Sequence, residues 1–211
     1  MTKIEKISIV MSVHDEAEAL EKNLPLFLTQ QSKRAVEVIV VDDDSTDDTP
    51  DVLKRLKAEY PNLYTTFIPQ SPPNPWRRRL ALTIGAKAAK GDWIVLADIT
   101  RPPRSGASVE GLADAAEENG GNVLMAYSNR RNNDSSLTYK SWDDIEDACV
   151  LLRKAERRSG RGHRGRWLKK WRGIYDAVAV PRESVHDALR YFDEQVHGLR
   201  LMGLRVKVLL H

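Results

Sequence analysis

The sequence predicts an α/β domain with a mostly parallel central sheet flanked by helices. Three observations predict it. Short apolar runs alternate with amphipathic stretches through the first 130 residues, the runs are apolar at nearly every position, and each ends in a polar or acidic cluster. Strand and helix in alternation build βαβ units. A strand covered on both faces reads as a near-continuous apolar run rather than an alternating one.

The first run holds Ile7, Ile9, Val10, Met11 and Val13 and is broken by His14, Asp15 and Glu16. Residues 17–30 then space Ala17, Leu20, Leu24, Phe27 and Leu28 as one helix face does. Pro25 within them predicts a kink or restart, because proline has no N–H to give. Residues 36–41 form the second strand, stopped by Asp42, Asp43 and Asp44. Ser45, Thr46, Asp47 and Asp48 open a helix reaching Tyr60, with hydroxyls to cap, acids at the positive end and Pro50 in the first turn. A short strand follows at 63–68, then a proline-rich loop at 69–75. Residues 76–90 are a helix with Leu80, Ile84 and Ala88 on one face, ended by Gly91. The strand 93–97 ends at Asp98, and a turn-rich stretch leads to a helix at 107–118 and a strand at 122–127. Beyond these the pattern predicts a helix at 142–157, a basic loop at 158–172, a strand at 177–180, a helix at 182–192 and a strand at 205–210.

The 211 residues suffice for a single domain, and 41% hydrophobic with 30% charged residues places the chain among ordinary globular proteins. No apolar run approaches 18 residues, so no helix is expected to cross a membrane, and the N-terminus lacks the apolar core of a signal peptide. Cys149, the only cysteine, cannot form an internal disulfide and reads as a buried structural thiol. These readings lead to an expected cytoplasmic location. Charge is uneven: residues 1–60 carry 13 acidic and 8 basic side chains, whereas the stretch bounded by Arg153 and Arg172 holds ten Lys or Arg with only Glu156 opposing them, and includes Trp167 and Trp171. Such repulsion calls for an anionic partner: a diphosphate, an acidic acceptor glycan, or lipid headgroups in a peripheral membrane contact. No RNA- or DNA-binding motif accompanies the charge, which argues against nucleic acid.

In sheets of this kind ligands bind outside the carboxyl ends of the strands. Those ends carry His14-Asp15-Glu16, Asp42-Asp43-Asp44 and Asp98. Helix capping accounts for one acid and Ser45, but three consecutive carboxylates repel one another unless something uses them. A carboxylate fixed there can accept an N–H from a nucleobase. No glycine-rich phosphate loop follows the first strand, which argues against a dinucleotide site and a P-loop.

Residues 9–16, 38–49 and 79–98 fall in the order and spacing of three sequence blocks of the family 2 glycosyltransferases with the GT-A fold, and the chain resembles that family over residues 6–100. The resemblance implies a Rossmann-like sheet in one domain, with residues 1–100 binding nucleotide and 101–211 supplying the acceptor and catalytic half. It implies that the ring of His14 lies against the base, that Ser12 and Glu16 border the pocket, that Asp43 hydrogen-bonds the base (usually uracil) and that Asp42 supports it. Arg78 or Arg79 would reach the sugar or diphosphate. Asp98 matches the first acid of the DxD motif, which grips a divalent ion, Mn²⁺ or Mg²⁺, against the diphosphate, and a late histidine, here His211, completes the ligand set in some relatives. Phe192-Asp193-Glu194 is similar to the segment near the catalytic base, implying Asp193 or Glu194 in that role.

The sequence departs from the family in two places. The motif reads Asp98-Ile99-Thr100, so its second acid is absent, and Arg101 and Arg104 follow as alternative phosphate donors. The acidic segment and the stretch after it are compressed. The expected activity is transfer of a sugar from a UDP-linked or similar donor to a hydroxyl of a glycan or lipid-linked acceptor, with inversion. The alternative is a non-catalytic nucleotide-sugar- or glycan-binding relative acting as a scaffold or partner subunit. A receiver-like signalling domain, raised by Val41-Asp42-Asp43-Asp44, fails on length and because its acids would follow the first strand.

Overall fold

The computed structural model describes residues 3–69, 77–103, 105–118, 124–128, 137–141, 175–185 and 189. The elements run β1 (Lys6–Val13), α1 (Ala17–Leu28), β2 (Ala35–Asp42), α2 (Thr49–Glu59), β3 (Leu63–Phe67), α3 (Arg77–Ala88), β4 (Trp93–Ala97), α4 (Ser108–Glu118), β5 (Leu124–Ser128), β6 (Leu137–Ser141) and β7 (Tyr175–Pro181). The seven described strands form one sheet in the order β3-β2-β1-β4-β7-β5-β6. The first four are mutually parallel, with Val10 opposite Ile39 on one side and Leu96 on the other.

Period-2 alternation sends the two sides of each buried strand into separate cores. Ile7, Ile9, Met11, Val38, Val40 and Val95 pack under α1, α2 and α4, joined by Leu20, Leu24, Leu53, Leu56 and Leu112. Val10, Ile39, Val41, Ile94 and Leu96 face the other way, against Ala81, Leu82 and Ala86 of α3 and against Val185 and Leu189. Burying each of the larger aliphatics stabilises by about 1.5–3 kcal/mol, which suits β1, β2 and β4 to positions with a strand on either side. Gly85 lets α3 lie close on this face: a Cβ there would sit 2.5 Å from Val10 Cγ1.

At the amino-terminal end of the strands a buried carboxylate ties three segments together. Glu37 accepts the Ser8 hydroxyl at 2.6 Å and the Lys90 N–H at 2.7 Å, and pairs with Lys6 Nζ at 2.5 Å. The Ser8 Oγ in turn accepts the Gly91 N–H at 2.8 Å. Burial opposes ionisation of Glu37, but the Lys6, Ser8 and Lys90 hydrogen bonds outweigh it and hold the carboxyl below its ordinary range.

The structure differs from the sequence reading in the second half. The strand expected at 177–180 spans Tyr175–Pro181 and inserts antiparallel between β4 and β5, pairing Val95 with Ala179 and Ala126 with Ala177. The sheet is therefore parallel on one side of β4 and antiparallel on the other. β6 is not predicted by the sequence pattern: Leu-Thr-Tyr-Lys-Ser is a short edge strand with little periodicity. The helix expected at 182–192 opens with a 3-10 turn at Arg182–Ser184, and the described residues beyond it, Val185 and Leu189, are helical and buried. Pro25 does not split its helix; α1 runs through it, and the Pro25 carbonyl accepts both the N–H and the hydroxyl of Thr29 at the carboxyl end. The predicted helix at 142–157, basic loop at 158–172 and strand at 205–210 lie outside the described residues, as does Cys149. No helix among the described residues is long and apolar enough to cross a membrane.

Candidate nucleotide-binding site

The alternation that sorts the cores also assembles the site. Ser12 follows Ser8 and Val10 on the α3 side of β1, and Asp43 and Asp98 continue the α3-facing rows of β2 and β4. The first turn of α3 stands over these strand ends and supplies two arginines. Arg77 donates through Nε to Asp43 Oδ1 at 2.7 Å, with Nη2 also 2.7 Å away, and Arg78 Nη2 lies 3.6 Å from Asp98 Oδ2. Asp43 and Arg77 are both largely withdrawn from solvent, at 13% and 14% side-chain exposure, whereas Arg78 is half-exposed. The Asp43 hydrogen bond, working against the loss of hydration, pushes the Arg77 guanidinium further toward its charged form.

The three consecutive acids have three different environments. Asp42 is buried and its Oδ1 accepts the Ser45 N–H at 3.0 Å, so it shapes the turn beneath Asp43. Asp43 takes the arginine. Asp44 adopts a left-handed backbone, φ 61°, with Oδ2 3.7 Å from Arg77. Repulsion among them is relieved by one guanidinium and one turn.

The loops after β1 and β2 are clamped to each other. His14 Nδ1 lies 2.7 Å from the Asp43 carbonyl, which requires the proton on Nδ1, and Asp43 N–H donates to the Val13 carbonyl at 2.8 Å. Asp15, left-handed at φ 52°, accepts the N–H groups of Thr46 at 2.7 Å and Asp47 at 3.3 Å. In return Ser45, Thr49 and Asp47 accept the N–H groups of Asp15, Glu16 and Ala17 at 3.0, 3.0 and 3.1 Å. The Thr46 N–H leads the contacts that lower the Asp15 carboxyl, against desolvation. The start of α1 is thus satisfied by side chains of the neighbouring loop, which fixes where His14 and Asp43 stand.

Asp98 is held from its own loop. Its Oδ1 accepts the Thr100 N–H at 2.9 Å and the Thr100 hydroxyl at 2.7 Å, and the Arg101 N–H donates to its carbonyl at 2.9 Å. The Ile99 carbonyl accepts from buried Asn23 Nδ2 at 2.9 Å, pinning this loop to α1. Burial resists the charge on Asp98, but Thr100 and the Arg78 and Arg101 charges outweigh it and lower the carboxyl. Glu16 shifts the opposite way: burial first and the Asp98 charge second raise it.

The residues named from sequence therefore divide. Ser12, His14, Glu16, Asp42, Asp43, Arg78, Asp98 and Arg101 lie at the carboxyl edge of β1, β2 and β4. Arg79 lies on the same turn of α3, with its carbonyl accepting the Thr83 hydroxyl. Asp193, Glu194, His211, Arg104 and the basic stretch lie outside the described residues. Sequence reasoning missed Arg77, though it begins the Arg77-Arg78-Arg79 run, and missed the Asp15 clamp. A triple arginine at a helix start opposite an acidic strand end was the available signal.

The described donor set does not fit the divalent ion that the resemblance implies. A hard cation takes six or more oxygens. Here one Asp98 oxygen is occupied by two Thr100 donors and the other faces a guanidinium. Among the described residues no group of three or more His, Cys, Asp or Glu is placed to hold a metal.

A family model for glycosyl transferase family 2 matches residues 8–179. The chain belongs to glycosyl transferase family 2. An uncharacterized glycosyltransferase of Mycoplasma genitalium is 27% identical over 94 residues, covering 44% of this chain and 31% of that protein. An uncharacterized protein of Mycobacterium tuberculosis is 35% identical over 65 residues, covering 31% of this chain and 19% of that protein. The chain thus spans less than a third of the curated relatives it matches. Among solved structures, the mannosyltransferase PcManGT from Pyrobaculum calidifontis, in complex with GDP-Man and Mn²⁺, superposes with a TM-score of 0.56 at 18% identity over 99% of this chain and 51% of that one. S. aureus TarS 1–349 in complex with UDP matches with a TM-score of 0.48 at 22% identity, covering 61% of this family 2 chain and 38% of TarS. The PcManGT likeness shows the fold, and the mostly parallel sheet with its antiparallel β7 is the one this family 2 chain adopts.

Proposed function

We propose that this chain binds a nucleoside diphosphate sugar across the carboxyl edge of β1, β2 and β4 and transfers the sugar to an acceptor hydroxyl. The observation that carries the reading is the convergence of Asp43 and Asp98 on the arginines of the first turn of α3, on a chain that belongs to glycosyl transferase family 2. Asp43 is the base-reading acid: fixed by the β2 turn and Arg77, it accepts a ring N–H, which uracil N3 and guanine N1 both offer, and UDP is the first donor to test. The His14 ring lies beside it, oriented by the Asp43 carbonyl. Arg78 and Arg101 face the diphosphate.

In the reaction the acceptor oxygen forms a bond to the anomeric carbon as the bond from that carbon to the diphosphate oxygen breaks. The nucleoside diphosphate leaves with the electron pair. A carboxylate takes the hydroxyl proton; Asp193 or Glu194 has this role by family resemblance. Such a base contributes roughly 10²–10⁴-fold, and attack opposite the leaving group inverts the anomeric centre. The acceptor is a glycan or lipid-linked hydroxyl, reached from the cytoplasmic side, and the composition of residues 153–172 suits an anionic partner.

The test is release of UDP from UDP-sugars by the purified chain, with and without Asp43→Ala, and NMR of the product's anomeric configuration. Turnover at least tenfold lower in the variant, with inversion, supports the proposal. A retained configuration refutes the inverting mechanism, and binding without turnover in any acceptor mixture favours the non-catalytic relative, for which the Thr100 substitution in the DxD motif is the specific observation.

A further inference from the structure

We propose that Arg78 and Arg101 take the place of a divalent cation in this chain and hold the donor's diphosphate without metal. The inference rests on the proposed nucleotide site and deepens it. Its ground is the arrangement around Asp98, where the Arg78 guanidinium faces the carboxylate and the backbone of Arg101 is tied to the Asp98 carbonyl, bringing a second positive charge close by. Arg78 comes from the first turn of α3 and stands 3.6 Å from Oδ2; Arg101 follows in the β4–α4 loop, its N–H on the Asp98 carbonyl at 2.9 Å. Thr100, standing where a second acid would serve a metal, turns both its hydroxyl and its N–H onto Oδ1. A carboxylate so engaged is an anchor for donors rather than a ligand with open lone pairs.

The charge balance agrees. Two guanidinium groups carry the formal charge of one divalent ion, and guanidinium suits phosphate oxygens through paired N–H donors. Arg78 is 46% exposed, so a phosphate can approach its guanidinium from solvent. As the sugar leaves, the growing charge on the diphosphate meets donors already in place. Asp98 then shapes the loop: its Oδ1 fixes Thr100 and its carbonyl fixes the backbone of Arg101.

The experiment is calorimetric titration of the full chain with UDP and with GDP, in EDTA and in Mn²⁺ or Mg²⁺, for the wild type, Arg78→Ala, Arg101→Ala and Asp98→Asn. Binding of one diphosphate is expected in EDTA with a Kd within about twofold of that in metal. Each arginine variant should weaken that binding roughly 10- to 100-fold, the worth of a charge-assisted hydrogen bond, while leaving binding of the parent nucleoside unchanged; Arg78→Lys should recover part of the loss. Asp98→Asn keeps an oxygen for Thr100 and removes a negative charge beside the phosphates, so affinity in EDTA should hold or rise. Binding that appears only with metal, or a tenfold loss in Asp98→Asn, overturns the inference and leaves the nucleotide site standing. No binding of either diphosphate in any condition overturns the site itself.

Discussion

Gly85 is where the packing of α3 and the geometry of the site meet, and Gly85→Ala perturbs both. A Cβ at this position would lie 2.5 Å from Val10 Cγ1 and 3.1 Å from Val41 Cγ2. Ordinary contact is near 3.5–4 Å, so roughly 1 Å must be found, by moving fully buried Val10 off its rotamer or by lifting α3 from the sheet. Overpacking of this kind costs about 1–3 kcal/mol. Alanine's helix preference over glycine returns about 0.5–1 kcal/mol, leaving a net destabilisation of about 0.5–2 kcal/mol. Urea denaturation measures it directly. Val10→Ala removes the opposing methyl, so the two substitutions should be coupled: the double variant should be more stable than the sum of the single effects predicts, by about 1 kcal/mol. If Gly85→Ala is neutral or stabilising, or if the two effects add, α3 is not seated as closely as described and the placement of Arg77 and Arg78 over the strand ends loses its support.

Other expectations follow from the polar contacts. Glu37 has a lowered carboxyl in the folded chain, so the stability it contributes is complete above its ordinary value of 4.5 and is lost as pH falls through the folded value; the gap in urea midpoint between wild type and Glu37→Gln should therefore be largest near neutrality and narrow in acid. Arg77→Met should lower the urea midpoint, and adding Asp43→Asn should lower it little further, because the second change removes a carboxylate that the first left unpaired; a full additional loss would contradict the pairing. Asp15→Ala should speed amide hydrogen exchange at Thr46 and Asp47 more than at β1 or β2, since Asp15 accepts both N–H groups.

The parallel half of the fold was legible because burial on both faces writes itself as unbroken apolar runs, and β1, β2 and β4 end where the acids begin. Asp43 and Asp98 could be placed on one edge for the same reason. Their shared face, and the arginine that each one meets, were not legible: the pattern does not fix the rotation of α3 over the strand ends, and a shift of one residue turns the side chain by about 100°. The antiparallel β7 was hidden too, because Ala177-Val178-Ala179-Val180 reads as a buried strand in either direction and only pairing decides it. Glu37 was unreadable for a different reason. Its buried place depends on Lys6, Ser8 and Lys90, which are distant in sequence and acquire meaning only once β1 and β2 are in register.

The central claim is that Asp43 marks a nucleoside diphosphate site, and a direct binding titration of UDP and GDP to the wild type and to Asp43→Ala tests it. The wild type should bind one of them saturably at one site per chain, and Asp43→Ala, while remaining folded, should bind it at least tenfold more weakly. Equal binding by both proteins, or none by the wild type, would contradict it.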